Sequence, residues 1–360
     1  MPLPTPNPNE DKDTFLERCM SDETMNEDFP DQGQRRAVCE SQWDKGNEGS
    51  AGLATLTGRP WAIMPSVLYG MVERVHAGNP FQAGPVPTAS RRGTVAVLPI
   101  YGTITQKGGG GFLDFLMGGG TSTEKFGALF SQVMADESVK AVILDIDSPG
   151  GSVFGVPELA DTIFKARGGK PIIAVSNSLA ASAAYWLASQ ADQIVVSPSA
   201  EVGSIGVYAL HEDESKLLDD IGVKVTLIGA GKYKTEGNEF EPLSEEAQAA
   251  IQARVDDYYS MFVKAVARGR GVSESAVRGG FGEGRVVGAV DAVKLNMADR
   301  VATLGQTLQR FAGSGGATML AEEPVEIVAE MERVVMAEET PPESKGVSTD
   351  IRRRRLELAR

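Results

Sequence analysis

The chain has 360 residues, 42% of them hydrophobic, with 41 glycines and a formal net charge of −14. That length holds one domain of about 200 residues with accessories, or two domains, and the acidic balance argues against a general nucleic-acid binder. No uninterrupted apolar run approaches the roughly 18 residues that cross a bilayer, and the N-terminus lacks the basic start and apolar stretch of a signal peptide. The expectation is a soluble, cytoplasmic protein without a membrane partner.

Residues 1–12 alternate proline with polar residues and are expected to be disordered. Two short helical patterns follow, Thr14 to Met20 and Gln32 to Trp43, able to enclose a miniature core of Phe15, Cys19, Val38, Cys39 and Trp43. The two cysteines are too few for a disulfide scaffold and read as reduced, small buried hydrophobes. Residues 1–45 therefore read as a disordered start plus a small helical segment, and residues 46–92 as a glycine- and proline-rich linker with one helical patch, Met64 to Val75.

From 93 to 312 strands and helices alternate. Strands are expected at Val95 to Tyr101, Ala141 to Ile146, Pro171 to Ser176, Gln193 to Val196, Gly206 to Leu210, Lys224 to Ile228 and around Arg300. Between them lie a glycine-rich loop from Gly108 to Gly120 and helices at Thr123 to Ala135, Pro157 to Ala166 and Glu214 to Ile221. Ser244 to Ala267 reads as a long helix, with a short one from Gly288. Continuous apolar strands alternating with helices imply a largely parallel α/β sheet covered on both faces. Beyond 312, residues 313–350 hold nine acidic residues against Arg333 and Lys345, with one helical patch from Val325 to Met336. With the basic tip Arg352 to Arg355, residues 313–360 read as a largely disordered acidic interaction tail, or as a plain solvated terminus.

Three segments carry candidate chemistry. Asn177 to Ala188 follows a buried strand, is rich in alanine and serine, and turns helical after Leu179, which sets Ser182 near a helix start. There the positive helix end and free backbone N–H groups favour a nucleophile and its oxyanion; a tightly packed structural helix fits the pattern equally well. Asp147-Ser148-Pro149-Gly150-Gly151-Ser152 ends another strand, and its glycines let N–H groups point into a cleft. Gly231-Lys232-Tyr233-Lys234 follows the run Lys224 to Ile228, where a lysine held in a partly apolar setting is able to act as a base; a surface lysine is the default at either position. With only His76, in a Gly/Pro-rich connector, and His211, at a strand terminus, no histidine pair marks a zinc site, and a serine nucleophile would need another base. No metal and no cofactor are expected.

Taken in order, these segments resemble a family. Asp147 to Ser152, then Ala180-Ala181-Ser182 with Tyr185-Trp186, then Val202-Gly203-Ser204-Ile205-Gly206-Val207, then Gly231 to Lys234 are similar to the signal peptide peptidase A family of serine/lysine peptidases, over about Val95 to Val301. The resemblance implies a Clp protease/crotonase-like fold with Ser182 as nucleophile and Lys234 as general base, Lys232 being a rival two residues away. It also implies Ser204 orienting the lysine, and an oxyanion hole from the N–H groups of Ala183 and of Gly150 or Gly151. Ala183-Ala184 stands where the family more often has glycines.

A single unit with extra ends is similar to the capsid assembly branch of phages and prophages. That implies an endopeptidase of scaffold and capsid precursors, working as a homo-oligomer within the procapsid in the host cytoplasm. The small residues around Ser182 suggest small side chains before the scissile bond. Two other readings are a cytoplasmic peptidase that degrades signal peptides and a non-catalytic capsid scaffold subunit.

Overall fold

The structure is a computed structural model that describes residues 12–22, 56–76, 88–107, 119–220 and 224–311, with isolated positions at 4, between 25 and 39, and at 323 and 324. The Gly108 to Gly120 loop for the most part, the helical patch at 325–336 and the basic tip lie outside the described residues. Fourteen strands are described. β1 (Pro60–Ile63), β2 (Ser90–Arg92), β3 (Val95–Tyr101), β4 (Thr103–Thr105), β5 (Gly120–Ser122), β6 (Ala141–Ser148) and β7 (Gly150–Ser152) come first. They are followed by β8 (Ile172–Ala181), β9 (Gln193–Val196), β10 (Glu201–Gly203), β11 (Tyr208–Ala209), β12 (Val286–Gly288), β13 (Arg300–Val301) and β14 (Glu323–Pro324).

The larger sheet runs β12-β10-β8-β6-β3-β2-β14, with β9 and β13 branching from β8. Its centre is parallel: β3 pairs with β6, β6 with β8, and β8 with both β9 and β10. The apolar runs that fill these strands are buried on both faces, as a parallel sheet requires. One face packs on the helices Thr123–Ala135, Val156–Lys165, Ala183–Ala188 and Glu245–Arg270; the other meets the helix Leu304–Phe311. A smaller sheet, β11-β1-β7-β4-β5, lies beside the C-terminal ends of β3 and β6, because β4 and β7 continue those strands after one-residue breaks. The α/β class with a parallel sheet and flanking helices is thus the observed architecture.

Several elements differ from the sequence expectation. Ser176 does not end its strand: β8 runs on to Ala181, and the helix begins only at Ala183, because small residues at 180–181 fit the narrow space between β6 and β10. Lys224 to Ile228 forms no strand, since among the described residues no strand offers it hydrogen bonds; Leu227 and Ile228 are instead exposed, Ile228 by 97%. The stretch read as a linker contributes β1 and the helix Pro65–His76, whose Leu68 and Met71 close a small core with Leu56, Trp61 and Ile63. His76 therefore ends a helix.

Cys19 and Cys39 are not reduced but joined in a disulfide, with their Cα atoms 5.9 Å apart, within the range a bridge spans. The helix Lys12–Ser21 and the residues near Cys39 close around Phe15, Leu16 and Met25, which brings both sulfurs into one buried cluster. Trp43 lies outside the described residues.

Candidate active site

β8 delivers Ser182 by changing partners midway. Its first half pairs with β9 and its end pairs with β10, while between Ile146 and Ser148 of β6 the register shifts from Ser176 to Ala180. The resulting bulge is tied by side chains that the sequence reading passed over. Asn177 Nδ2 donates to Asp145, Ser178 Oγ donates to Asp147, and Ser197 Oγ donates to Asn177 Oδ1 at 3.2 Å. Tyr101 Oη completes the set, donating to Asp145 Oδ2 at 2.7 Å. Burial pushes the Asp145 carboxyl above its ordinary range, against the two donors that favour its charge. Two aspartates inside an otherwise apolar run, Ala141 to Ser148, were the available signal, because a buried carboxylate needs partners.

Ser182 itself has φ 55° and ψ −120°. A non-glycine residue in that region costs about 1–3 kcal/mol and persists only where its surroundings hold it. Here they do: the Ser182 N–H donates to Gly203 O at 2.7 Å, and Trp186 N–H donates to Ser182 O at 2.9 Å. The short helix Ala183–Ala188 is fully buried; Trp186 stacks on Phe262 at 4.6 Å, and Tyr185 Oη donates to Met297 O at 2.8 Å. Arg167 clasps its C-terminal end, donating to Gln190 O at 2.7 Å and to Ser189 O at 3.1 Å. Ser182 is 1% exposed, and its buried Oγ has no hydrogen-bond partner among the described residues.

Gly150 lies against this serine. Its φ is +98°, and a Cβ there would fall 2.2 Å from Ala62 O, 2.9 Å from Ser182 Cβ and 3.0 Å from Ala183 N. Ser148 sets this approach: its Oγ donates to Gly102 O at 2.6 Å and accepts the Gly150 N–H at 3.2 Å. The N–H of Ala183, first residue of its helix, has no intrahelical acceptor. Gly151 belongs instead to the sheet, where a Cβ would meet Ile104 O at 1.9 Å. Ser182, Ala183 and Gly150 are thus brought together, with Gly151 one residue further along β7. Ser204, buried and at φ 53°, follows the Gly203 that holds Ser182, and its N–H donates to Arg285 O at 2.8 Å.

Lys234 stands in a different setting. It is exposed in the turn after Gly231, its N–H donating to Gly231 O at 3.1 Å, and among the described residues no hydrogen bond joins its side chain to Ser182 or Ser204. Among the described residues every position from Lys224 to Lys234 is exposed, so the partly apolar setting expected for this lysine is not met within a single chain. Lys232 is exposed too; Tyr233 and Glu246 hydrogen-bond its ammonium and hold its pKa above the ordinary lysine value, which suits a charged group rather than a base. His211 sits apart, Nε2 lying 3.2 Å from Asn238 O. Among the described residues, no group of His, Cys, Asp or Glu side chains is arranged to hold a metal ion, and no helix is long and apolar enough to cross a membrane.

Residues 165–317 match the model of peptidase family S49. Over 257 residues the chain is 35% identical to the head-tail preconnector protein GP5 of Enterobacteria phage P21, covering 70% of this chain and 50% of that protein. It is 32% identical over 209 residues to the capsid assembly protease C of Escherichia phage lambda, covering 58% of this chain and 46% of the protease. The chain thus spans about half the length of these relatives. Among solved structures, a mutant of the 1510-N membrane-bound stomatin-specific protease aligns at a TM-score of 0.37 and 15% identity, covering 61% of this chain and 85% of that one. The strand-to-helix serine at 182 thus stands inside the stretch of this chain that is similar to peptidase family S49.

Proposed function

We propose that the chain is a serine endopeptidase that uses Ser182 and Lys234 to cut scaffold and capsid precursors of a phage or prophage, as a homo-oligomer within the procapsid in the host cytoplasm. The observation that carries the chemistry is Ser182 on a strained strand-to-helix turn, with Gly150 and the Ala183 nitrogen against it. Ser182 Oγ attacks the scissile carbonyl, and the Ala183 N–H, with the backbone at Gly150–Gly151, faces the developing oxyanion. Lys234, oriented by Ser204, takes the serine proton and returns it to the leaving amine; water then releases the acyl-enzyme. The substrates and the setting rest on the likeness to the phage P21 and lambda proteins.

In a single chain Lys234 is exposed, within a stretch that also exposes Leu217, Leu227, Ile228 and Tyr233. An exposed apolar stretch of this kind suits burial against another copy, and the reading has the lysine desolvated and brought to Ser182 on assembly.

Intact mass spectrometry of the purified protein, beside Ser182→Ala and Lys234→Ala, tests the chemistry. Trimming of the wild type that both variants lose is the expected result. Full-length protein in all three samples, even when co-expressed with capsid and scaffold proteins, would remove the peptidase reading.

A further inference from the structure

The smaller sheet contains a strand that the catalytic arrangement does not need. β7, which carries Gly150 and Gly151, pairs on one side with β4 and on the other, antiparallel, with β1: Trp61 faces Ser152, Ala62 faces Gly151 and Ile63 faces Gly150. The far edge of β1 pairs with the two-residue β11, reached a few residues after Ser204. Main-chain pairing along one strand is how an extended peptide is held by a sheet edge, and here the place beside the nucleophile is filled by the chain itself.

The atoms are close. Ala62 O and Ser182 Cβ both lie within 3 Å of a single point beside Gly150, as does Ala183 N at its margin. The Ala62 carbonyl is therefore no more than about 5 Å from the nucleophile's Cβ and from a candidate oxyanion donor. Ser182 is 1% exposed with β1 in place, so no second peptide reaches it in this arrangement.

The larger side chains of the strand anchor outside the main core. β1 takes no part in the parallel sheet. Period-two alternation turns Ala62 into the main core and Trp61 and Ile63 into the small one with Leu56, Leu68 and Met71. Trp61 Nε1 donates to Leu56 O at 2.9 Å, and Gly58 N–H donates to Leu210 O at 2.9 Å. Besides its pairing with β7 and the burial of Ala62, this four-residue strand is held by a two-residue partner and a small core, and a segment this short can open as a unit, as local openings do.

We propose that β1 is a built-in plug occupying the substrate strand's place, and that a protein substrate binds by displacing it and pairing, extended, with Gly150–Ser152. This rests on the peptidase reading of Ser182. The small Ala62, whose carbonyl lies beside Gly150, matches a preference for a small side chain there, and the plug keeps the enzyme latent until a substrate or an assembly step draws it off.

The test is labelling of Ser182 by a serine-reactive phosphonate, located by mass spectrometry on the full chain in its native assembly. Trp61→Ala, which removes the plug's largest anchor, is expected to label about tenfold faster or more, since weakening the closed form raises the open fraction in proportion. The paired variant Pro60→Cys with Ala209→Cys staples β1 to β11 across directly opposed positions. Its oxidised form should label at about a tenth of the rate of its reduced form or less, with wild type under the same reductant controlling for Cys19–Cys39. The staple keeps the core intact and so decides the matter even where Trp61→Ala fails to fold. An oxidised staple that labels and cleaves as fast as the reduced one overturns the plug and leaves the peptidase standing. No reaction at Ser182 in any form removes the peptidase reading, and the plug falls with it.

Discussion

The two halves of the proposed dyad sit in opposite kinds of structure. Around Ser182 the supports are buried or half-buried: the strained turn is held by Gly203 and Trp186, the helix after it by Phe262, Met297 and the half-buried Arg167. From Lys224 to Lys234 every residue is exposed: a run with the apolar residues of a strand makes no strand and leaves Leu227 and Ile228 in solvent. A nucleophile that must hold an unfavourable backbone needs a core beneath it. On the proposed reading, a base brought in by assembly needs only to be presented.

The contrast breaks hardest at Trp186. Trp186→Ala removes a fully buried ring stacked on Phe262, and is expected to cost about 3–5 kcal/mol, read as the shift in urea midpoint. A loss below about 1 kcal/mol would mean that the turn at Ser182 is not held by this helix.

A smaller loss in the same half is expected at Asp299. It accepts the Ile194 N–H at 2.7 Å and two Arg270 donors at 2.8 and 2.9 Å. Burial opposes its charge, but Arg270 and the Ile194 N–H outweigh burial and hold the carboxyl below its ordinary range. Asp299→Asn is expected to cost about 1–3 kcal/mol at pH 7. A lowered folded-state pKa adds stability above the ordinary carboxylate value of about 3.9, and that stability is lost as pH falls through the folded value. The gap between wild type and variant, measured by urea unfolding, should therefore narrow below about pH 4; a gap independent of pH would refute the pairing.

In the exposed half, Ile228→Asp should move stability by no more than about 0.5 kcal/mol, because the side chain touches no core. Sedimentation should nevertheless show a smaller assembly than wild type. Equal mass for both proteins would place the contact between copies elsewhere.

How much was legible follows from how strongly each element signals alone. Val95–Tyr101 and Gln193–Val196 are continuous apolar runs, and Thr123–Ala135 opens on a hydroxyl cap in which Ser122 Oγ accepts the Lys125 N–H at 3.2 Å, so all three could be read directly. β7 could not, being three residues with two glycines whose strand conformation comes from pairing with β1 and β4 on either side. The Cys19–Cys39 bridge was misread because two cysteines 20 positions apart carry no geometry until Phe15, Leu16 and Met25 gather them. Lys224 to Ile228 has strand-like residues, but a strand exists only where another offers it hydrogen bonds.

By itself the sequence determined the α/β class and the order of the motifs around Ser182, because apolar periodicity and glycine or serine placement act over a few residues. Only the tertiary structure decided that Gly150 meets Ser182, that β1 lies beside them, and that Lys234 is exposed. Each of these depends on which distant segments share a core or a hydrogen-bond edge, and no local pattern encodes that.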